Sequence, residues 1–153
     1  MIKTIDVKSG ETDGLYQYLS AAVTPRPIAF VSTIDANGNK NLSPFSFFNV
    51  FSINPPILIF SPVRRVRNNT SKHTLDNVHQ IKECVISLVT EEIGQQVSLS
   101  SCEFDAKTNE FEKAGFTEVK SDLITPSRIK ESPINFECKV TDIITLGDEG
   151  GAG

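Results

Sequence analysis

Asn41-Leu-Ser-Pro-Phe-Ser-Phe-Phe-Asn49 gathers three phenylalanines, two serines, two asparagines and a proline into nine residues. A simple core strand has no use for so many hydrogen-bonding groups, and a simple loop has no use for three phenylalanines. A strand that ends against a flat heteroaromatic ligand uses both. Ser and Asn groups address the polar edge of a ring, while Phe side chains and exposed backbone N–H groups cover its face and rim. By itself the stretch argues for a flat ligand and for no particular one.

A second group of residues suits a phosphate. Ser71-Lys72-His73-Thr74 stands where a helix is expected to begin. A helix N-terminus offers unbonded backbone N–H groups and partial positive charge. Lys72 adds a full charge and Thr74 a hydroxyl donor. A plain Thr cap beside a solvated lysine accounts for the same residues. Arg26 lies between Pro25 and Pro27, which limit the directions it can point. It suits either a phosphate or the electron-rich edge of a ring, and a surface arginine on an extended segment is the rival reading. Arg64, Arg65 and Arg67 suit the phosphates of a nicotinamide cofactor or a solvated loop.

The motifs that are missing also inform. His73 and His79 lack partners at ligand spacing, so no metal site is expected. There is no nucleophile elbow, Walker loop, GxGxxG or conspicuous carboxylate pair. Gly150-Gly-Ala-Gly153 follows acidic residues rather than a strand. A phosphate pocket and an aromatic pocket without an evident acid, base or nucleophile suit chemistry carried by a cofactor, so no side chain is assigned as catalytic.

The elements that must position these groups follow from periodicity and turn residues. Leu15, Tyr18, Leu19 and Ala22 predict a short helix over 14–22. Ile28–Ile34 reads as a buried strand, and Asp35-Ala-Asn-Gly-Asn39 as a hairpin turn with Gly38 at positive φ. The strand carrying 41–49 then pairs back antiparallel. Asn54-Pro-Pro56 breaks the chain before a third strand, 57–61. Leu75, Val78 and Ile81 predict a helix from about Thr74, and Cys84–Val89 a fourth strand. Thr90 is placed as the N-cap of a helix over 91–99, with Glu91 and Glu92 complementing its dipole. A helix over 109–114 ends at Gly115. Ile134, Phe136, Cys138 and Val140 alternate with polar residues in a half-buried strand, with a bulge or bend expected at 142–144 and a flexible ending from Gly147. Short strands around two or three helices favour a β-barrel with helical insertions over a doubly wound sheet.

Bulk properties set limits. The 153 residues suit one domain, 39% are hydrophobic, and 22% are charged, so a packed core is expected. The net charge of −4 argues against nucleic acid as the partner. A barrel that stacks the bases of a single strand on its Phe residues is the reading this acidic balance disfavours. No apolar run approaches the roughly 20 residues of a membrane span. Cys84, Cys102 and Cys138 lack CxxC spacing; Cys84 and Cys138, in strand-like apolar runs, read as small buried hydrophobes, and a reducing cytoplasm fits.

Thr24-Pro-Arg-Pro-Ile-Ala-Phe-Val-Ser-Thr33, the 41–49 stretch, Lys72-His-Thr74 ahead of a helix, and Glu131-Ser-Pro-Ile-Asn-Phe-Glu-Cys138 occur in that order. With these motifs the sequence resembles the flavin reductase-like family of FMN-binding split-barrel proteins, from about Tyr16 to the C-terminus. The resemblance implies a mainly β fold, a split barrel that forms a homodimer with FMN at or near the subunit interface. By position, Asn41, Leu42, Ser43 and Pro44 line the isoalloxazine, largely through backbone groups that face the charge growing on a reduced ring. Ser46 and Asn49 meet the ring's polar edge or support the strand that does. Arg26, Lys72 and Thr74 serve the phosphate end, which points to FMN rather than free riboflavin. The implied activity is an oxidoreductase that passes electrons from NAD(P)H to FMN, with a monooxygenase as a partner. A non-enzymatic FMN-binding electron carrier is the alternative.

Two departures from the family pattern stand out. Relatives often carry an acidic residue between the Lys and the Thr. His73 stands there instead, and is expected to make phosphate affinity pH-dependent. Relatives also continue past the glycine-rich ending into at least one more strand, so 1–153 reads as a single split-barrel domain that lacks its C-terminal strand or strands.

Overall fold

Asp35 closes the first hairpin with its own side chain. Its Oδ1 accepts the N–H groups of Asn37 and Asn39, each at 2.8 Å, and Gly38 takes a φ of 87° that residues with a Cβ rarely adopt. The structure is a computed structural model and describes residues 4–7, 14–65, 68–105 and 108–147. Arg67 and the ending 148–153 lie outside the described residues.

The elements in chain order are α1 (Leu15–Ala22), β1 (Ala29–Ile34), β2 (Lys40–Phe45), β3 (Phe48–Ile53), β4 (Pro56–Phe60), α2 (His73–Ile81) and β5 (Glu83–Leu88). They continue with α3 (Gly94–Ser100), α4 (Glu110–Ala114), β6 (Glu118–Val119), β7 (Arg128–Ile129) and β8 (Asn135–Lys139). One antiparallel sheet runs in the order β2-β1-β5-β8, and β3–β4 and β6–β7 form two-stranded ribbons. The architecture is mainly β with helical insertions, as expected, and among the described residues the strands do not close into a complete barrel.

β1 explains its own composition. It is buried on both faces, so Ala29-Phe-Val-Ser-Thr33 is a continuous run rather than an alternation. Phe30 faces a core built with Leu42, Val97 and Phe111, and its ring meets Phe116 edge-on at 5.1 Å. Ala29 and Val31 face the opposite core, where Phe45, Leu75, Val78 and Cys84 pack beneath α2. Cys84 lies directly across from Cys138 in the β5–β8 pairing, and both are free thiols.

Several expectations need correction. The 41–49 stretch is not one strand. β2 ends at Phe45, Ser46 and Phe47 turn the chain, and β3 begins at Phe48 in a separate ribbon. The expected third strand is therefore β4. Between 90 and 100 a single 3₁₀ turn over Glu91–Ile93 precedes α3, and the Thr90 side chain makes no capping bond. β3 carries a bulge between Val50 and Ser52 that was not expected, and β8 ends at Lys139, ahead of the bulge or bend expected at 142–144. The short ribbon β6–β7 gave no periodic signal because each of its strands has two residues.

Candidate functional site

β2 is the edge strand of its sheet, and its two hydrogen-bonding sides have different fates. Asp35 N–H bonds to the Asn39 carbonyl at 3.0 Å, which sets the phase of the β1–β2 ladder. Asn41, Ser43 and Phe45 therefore turn their N–H groups toward β1. Leu42 turns its N–H outward, where Oε2 of Glu110 accepts it at 3.2 Å. Pro44 occupies the next outward position and has no N–H, the usual placement of a proline on a sheet edge. Of the backbone donors expected to face a ligand along 41–46, the N–H of Ser46 is the one committed to neither β1 nor Glu110.

The side chains of this strand divide between the two cores and a cleft. Leu42 is wholly buried in the core beneath α3 and α4. Asn41 points the other way, toward α2, and its Nδ2 donates to Oγ1 of Thr74 at 2.8 Å. Thr74 is wholly buried and is the second residue of α2. Lys72 holds the N-cap position and makes no side-chain cap bond. Thr74 therefore neither caps the helix nor faces solvent, and it ties the start of α2 to β2. A second bond of the same kind, Asn77 Nδ2 to Thr33 Oγ1 at 3.1 Å, fastens α2 to β1.

Asn41 and Ser43 line a small open cleft together with Lys72, His73, Arg65, the 101–104 loop after α3, and Glu110. Burial and the nearby Arg65 guanidinium hold the Lys72 ammonium below its ordinary range, with Glu103 opposing. Burial and Arg65 likewise push the His73 imidazole down, against Asp76 and Asp105. Burial pushes the Glu110 carboxyl up, although its own backbone N–H and that of Leu42 favour the ion. Arg65 is anchored rather than swinging free. It donates to the Ser71 carbonyl and to Thr70 Oγ1, and it sits 3.9 Å from Glu103. Two cations thus face a small polar space.

The remaining candidates stand around the β2–β3 corner. Lys72 Nζ lies 5.2 Å from the centre of the Phe45 ring, so it reaches toward this corner from the cleft. Arg26 approaches from the other direction, over the Phe47 ring at 5.7 Å. Its guanidinium donates to the carbonyls of Ser20 and Val23 at the end of α1 and, at 3.3 Å, to Ser46 Oγ. Asn49 sits in β3, outside the cleft, with its Oδ1 accepting the N–H of Val50 at 2.8 Å. Of the three phenylalanines, Phe45 and Phe48 pack on the α2 core, and Phe47 is exposed. The structure therefore gathers Asn41, Ser43, Lys72 and Thr74 at one place, with Leu42 behind them. It places Arg26 and Ser46 at the adjoining corner and Asn49 beyond it.

Sequence reasoning missed Glu110 altogether. Asn109-Glu110 reads as a cap and a helix-first acid, and that is part of the truth: Asn109 Oδ1 accepts the N–H of Phe111 at 3.1 Å. Nothing in the local pattern shows that this acid turns inward to an edge strand some seventy residues earlier.

The chain matches the flavin reductase like domain over residues 21–150 and belongs to that family. An uncharacterized protein of Aquifex aeolicus is 42% identical over 93% of this chain, which spans 72% of that protein. A second relative, from Halalkalibacterium halodurans, is 41% identical over 89% of this chain, which spans 65% of it. Among solved structures, component B of nitrilotriacetate monooxygenase from Bacillus cereus superposes with a TM-score of 0.90 at 27% identity, covering 99% of this chain and 75% of that one. A protein with a split barrel domain from Shewanella frigidimarina gives 0.78 at 25% identity, covering 92% and 68%. The fold is that of the split-barrel flavin reductases. No helix among the described residues is long and apolar enough to cross a membrane.

Proposed function

We propose that this protein is an FMN-binding oxidoreductase that accepts electrons from NADH or NADPH. The observation that carries the reading is the cleft itself. It joins the edge strand β2 to the start of α2, so a site for a ring and a site for a phosphate are continuous.

The residues present fit that ligand. The N–H groups of His73 and Thr74 precede the first hydrogen bonds of α2, those from Leu75 and Asp76 to the Lys72 carbonyl. With Lys72 and Arg65 they form the donor set for a terminal phosphate. Asn41 and Thr74 fix each other, so the two ends of the site hold a constant spacing. The Ser46 N–H and the Arg26 guanidinium are the donors left at the corner, where the ring's polar edge belongs. A bound flavin supplies the electron-accepting chemistry, and no acid or base is asked of the chain.

A second copy completes the site in this reading. One face of the β3–β4 ribbon packs on the core through Phe48, Leu58 and Phe60. Beyond that contact the ribbon leaves Val50, Phe51 and Ile53 of β3 and Ile57 and Ile59 of β4 exposed, with Ile53 at 83%. Apolar surface of this extent on a two-stranded ribbon calls for a cover. A homodimer through it puts a partner beside the β2–β3 corner. The Bacillus cereus structure is a component of a monooxygenase, and delivery of reduced flavin to such an enzyme suits this chain. Free thiols suit a reducing cytoplasm.

The test is direct. Purified protein should bind one FMN per subunit and turn yellow. Anaerobic addition of NADH or NADPH should bleach it rapidly. A protein that stays colourless in excess FMN ends the flavin reading. Bleaching by a reduced protein donor alone, with neither nucleotide effective, assigns the molecule as an electron carrier instead.

A further inference from the structure

We propose that Glu110 couples ligand binding in this cleft to proton uptake: its carboxyl braces β2 through the Leu42 N–H and gains a proton from solvent when a phosphate-bearing ligand enters. The inference rests on the flavin reading of the site and adds a residue and a linkage that the reading does not contain.

Three observations carry it. Glu110 is 4% exposed, yet it lines the cleft together with Lys72 and His73. Its Oε2 accepts the outward N–H of Leu42, so whatever changes at this carboxyl is felt by the strand that carries Asn41 and Ser43. Among the described residues no ion pair joins it to a cation; Arg65 lies nearest Glu103, and Lys40 pairs with Glu118. A phosphate anion entering the same small space meets an uncompensated carboxylate of like charge, in surroundings where such repulsion is weakly screened. Protonation removes the conflict and leaves the structure intact. A neutral carboxyl keeps an oxygen to accept the Leu42 N–H and gains an O–H that can donate to a phosphate oxygen. Burial has already moved the group toward its neutral form.

The charged and titratable groups around it are few enough to separate. Lys72 and His73 face the cleft from α2, Arg65 from the loop before it, and Glu103 from the loop after α3. Asp105 lies further along that loop and acts on His73. Lys40 and Glu118 pair beside the start of β2. On α4 itself, Glu112 and Lys113 are exposed. His73 and Lys72 take up protons in the same direction, and the phosphate of the ligand titrates in the same range, so His73→Ala removes one rival and the comparison with and without Glu110→Gln isolates Glu110 from the others.

The experiment is calorimetric titration of the His73→Ala protein with FMN, and with riboflavin, in two buffers of different ionisation enthalpy, between about pH 5 and pH 8. The expected result is net proton uptake on FMN binding, none on riboflavin binding, and loss of the uptake in His73→Ala/Glu110→Gln. Affinity for FMN should weaken with rising pH by up to about tenfold per unit while one proton is linked, and Glu110→Gln should flatten that slope. Equal uptake with and without Glu110 overturns the proposal and leaves the flavin reading standing. Failure of both FMN and riboflavin to bind overturns the flavin reading itself. Should Glu110→Gln not fold, carboxyl-carbon NMR titration of Glu-labelled wild type decides the matter. The Glu110 pKa must rise when FMN is added, and an unmoved pKa overturns the proposal.

Discussion

β2 and the β3–β4 ribbon begin within the same nine residues and meet opposite fates. β2 is an edge strand, but this chain covers that edge: Pro44 removes one outward donor, Glu110 takes another, and Asn41 is bonded to Thr74. The ribbon carries residues as apolar as those of the core and leaves Val50, Phe51, Ile53, Ile57 and Ile59 exposed. The contrast separates what one subunit completes by itself from what it prepares for something else. A sheet edge whose outward donor is taken at Leu42 and absent at Pro44 suits a ligand of defined shape, whereas exposed apolar residues suit a broad, flat contact.

Replacing a phenylalanine in each region gives the largest contrast. Phe30→Ala removes a wholly buried ring that packs on Phe116, and should cost about 3–5 kcal/mol in urea unfolding. Phe51→Ser, at a position 64% exposed, should change the stability of the monomer by no more than about 0.5 kcal/mol. Its effect should instead appear in sedimentation, as a halving of the mass. An unchanged dimer, or a monomeric wild type, would separate the ribbon from subunit assembly.

Next in size is Lys72→Ala. Loss of a partly desolvated cation from a phosphate site should weaken FMN binding by about 1.5–3 kcal/mol, roughly ten- to a hundredfold. Riboflavin, which lacks the phosphate, should bind the variant as it binds wild type. Fluorescence titration with both ligands reads the difference, and an equal loss for the two would move Lys72 from the phosphate to the ring.

Thr74→Val keeps the shape of a buried side chain and deletes the acceptor of the Asn41 amide. A buried donor without a partner costs about 1–3 kcal/mol. The unfolding midpoint should fall accordingly, and FMN affinity with it, because Asn41 loses its fixed position in the cleft. An unchanged midpoint would mean that the bond contributes nothing net to fastening α2 onto β2.

How much of this was legible in the sequence follows the same division. The hairpin of β1 and β2 was readable because Asp35 and Gly38 are local turn chemistry, and a run buried on both faces declares itself by composition. The family motifs marked Asn41, Ser43, Lys72 and Thr74, and the fold gathers these four. The break at Ser46-Phe47 was not readable, since both sides of it are rich in β-forming residues and only tertiary packing moves Phe48 into another sheet. The partnership of Asn41 with Thr74 was hidden for the opposite reason: each residue has a sufficient local explanation, one as a turn-flanking polar group and the other as a helix cap. Glu110 was invisible because its role depends on an outward N–H whose phase is set by the hairpin closure at Asp35.

The smallest effect belongs to His73, at the first position of α2. Burial and the Arg65 guanidinium hold its imidazole below the ordinary range, so the folded protein favours the neutral form. Its folded pKa lies below the unfolded one. Its contribution to stability is therefore complete above the usual imidazole range and is lost as the pH falls through that range. Ligand binding has the opposite sign. A phosphate at the start of α2 offsets the Arg65 charge and favours the imidazolium, so FMN affinity should rise as pH falls through that range while stability declines. A partly exposed pair of this kind contributes about 0.2–1 kcal/mol, or up to roughly fivefold in affinity. Binding curves for wild type and His73→Ala at both ends of that range, alongside urea midpoints at the same pH values, test the two signs together. Affinity and stability that move in the same direction, or an equal pH dependence of binding in the variant, would remove His73 from the phosphate end and leave any remaining proton linkage to Glu110.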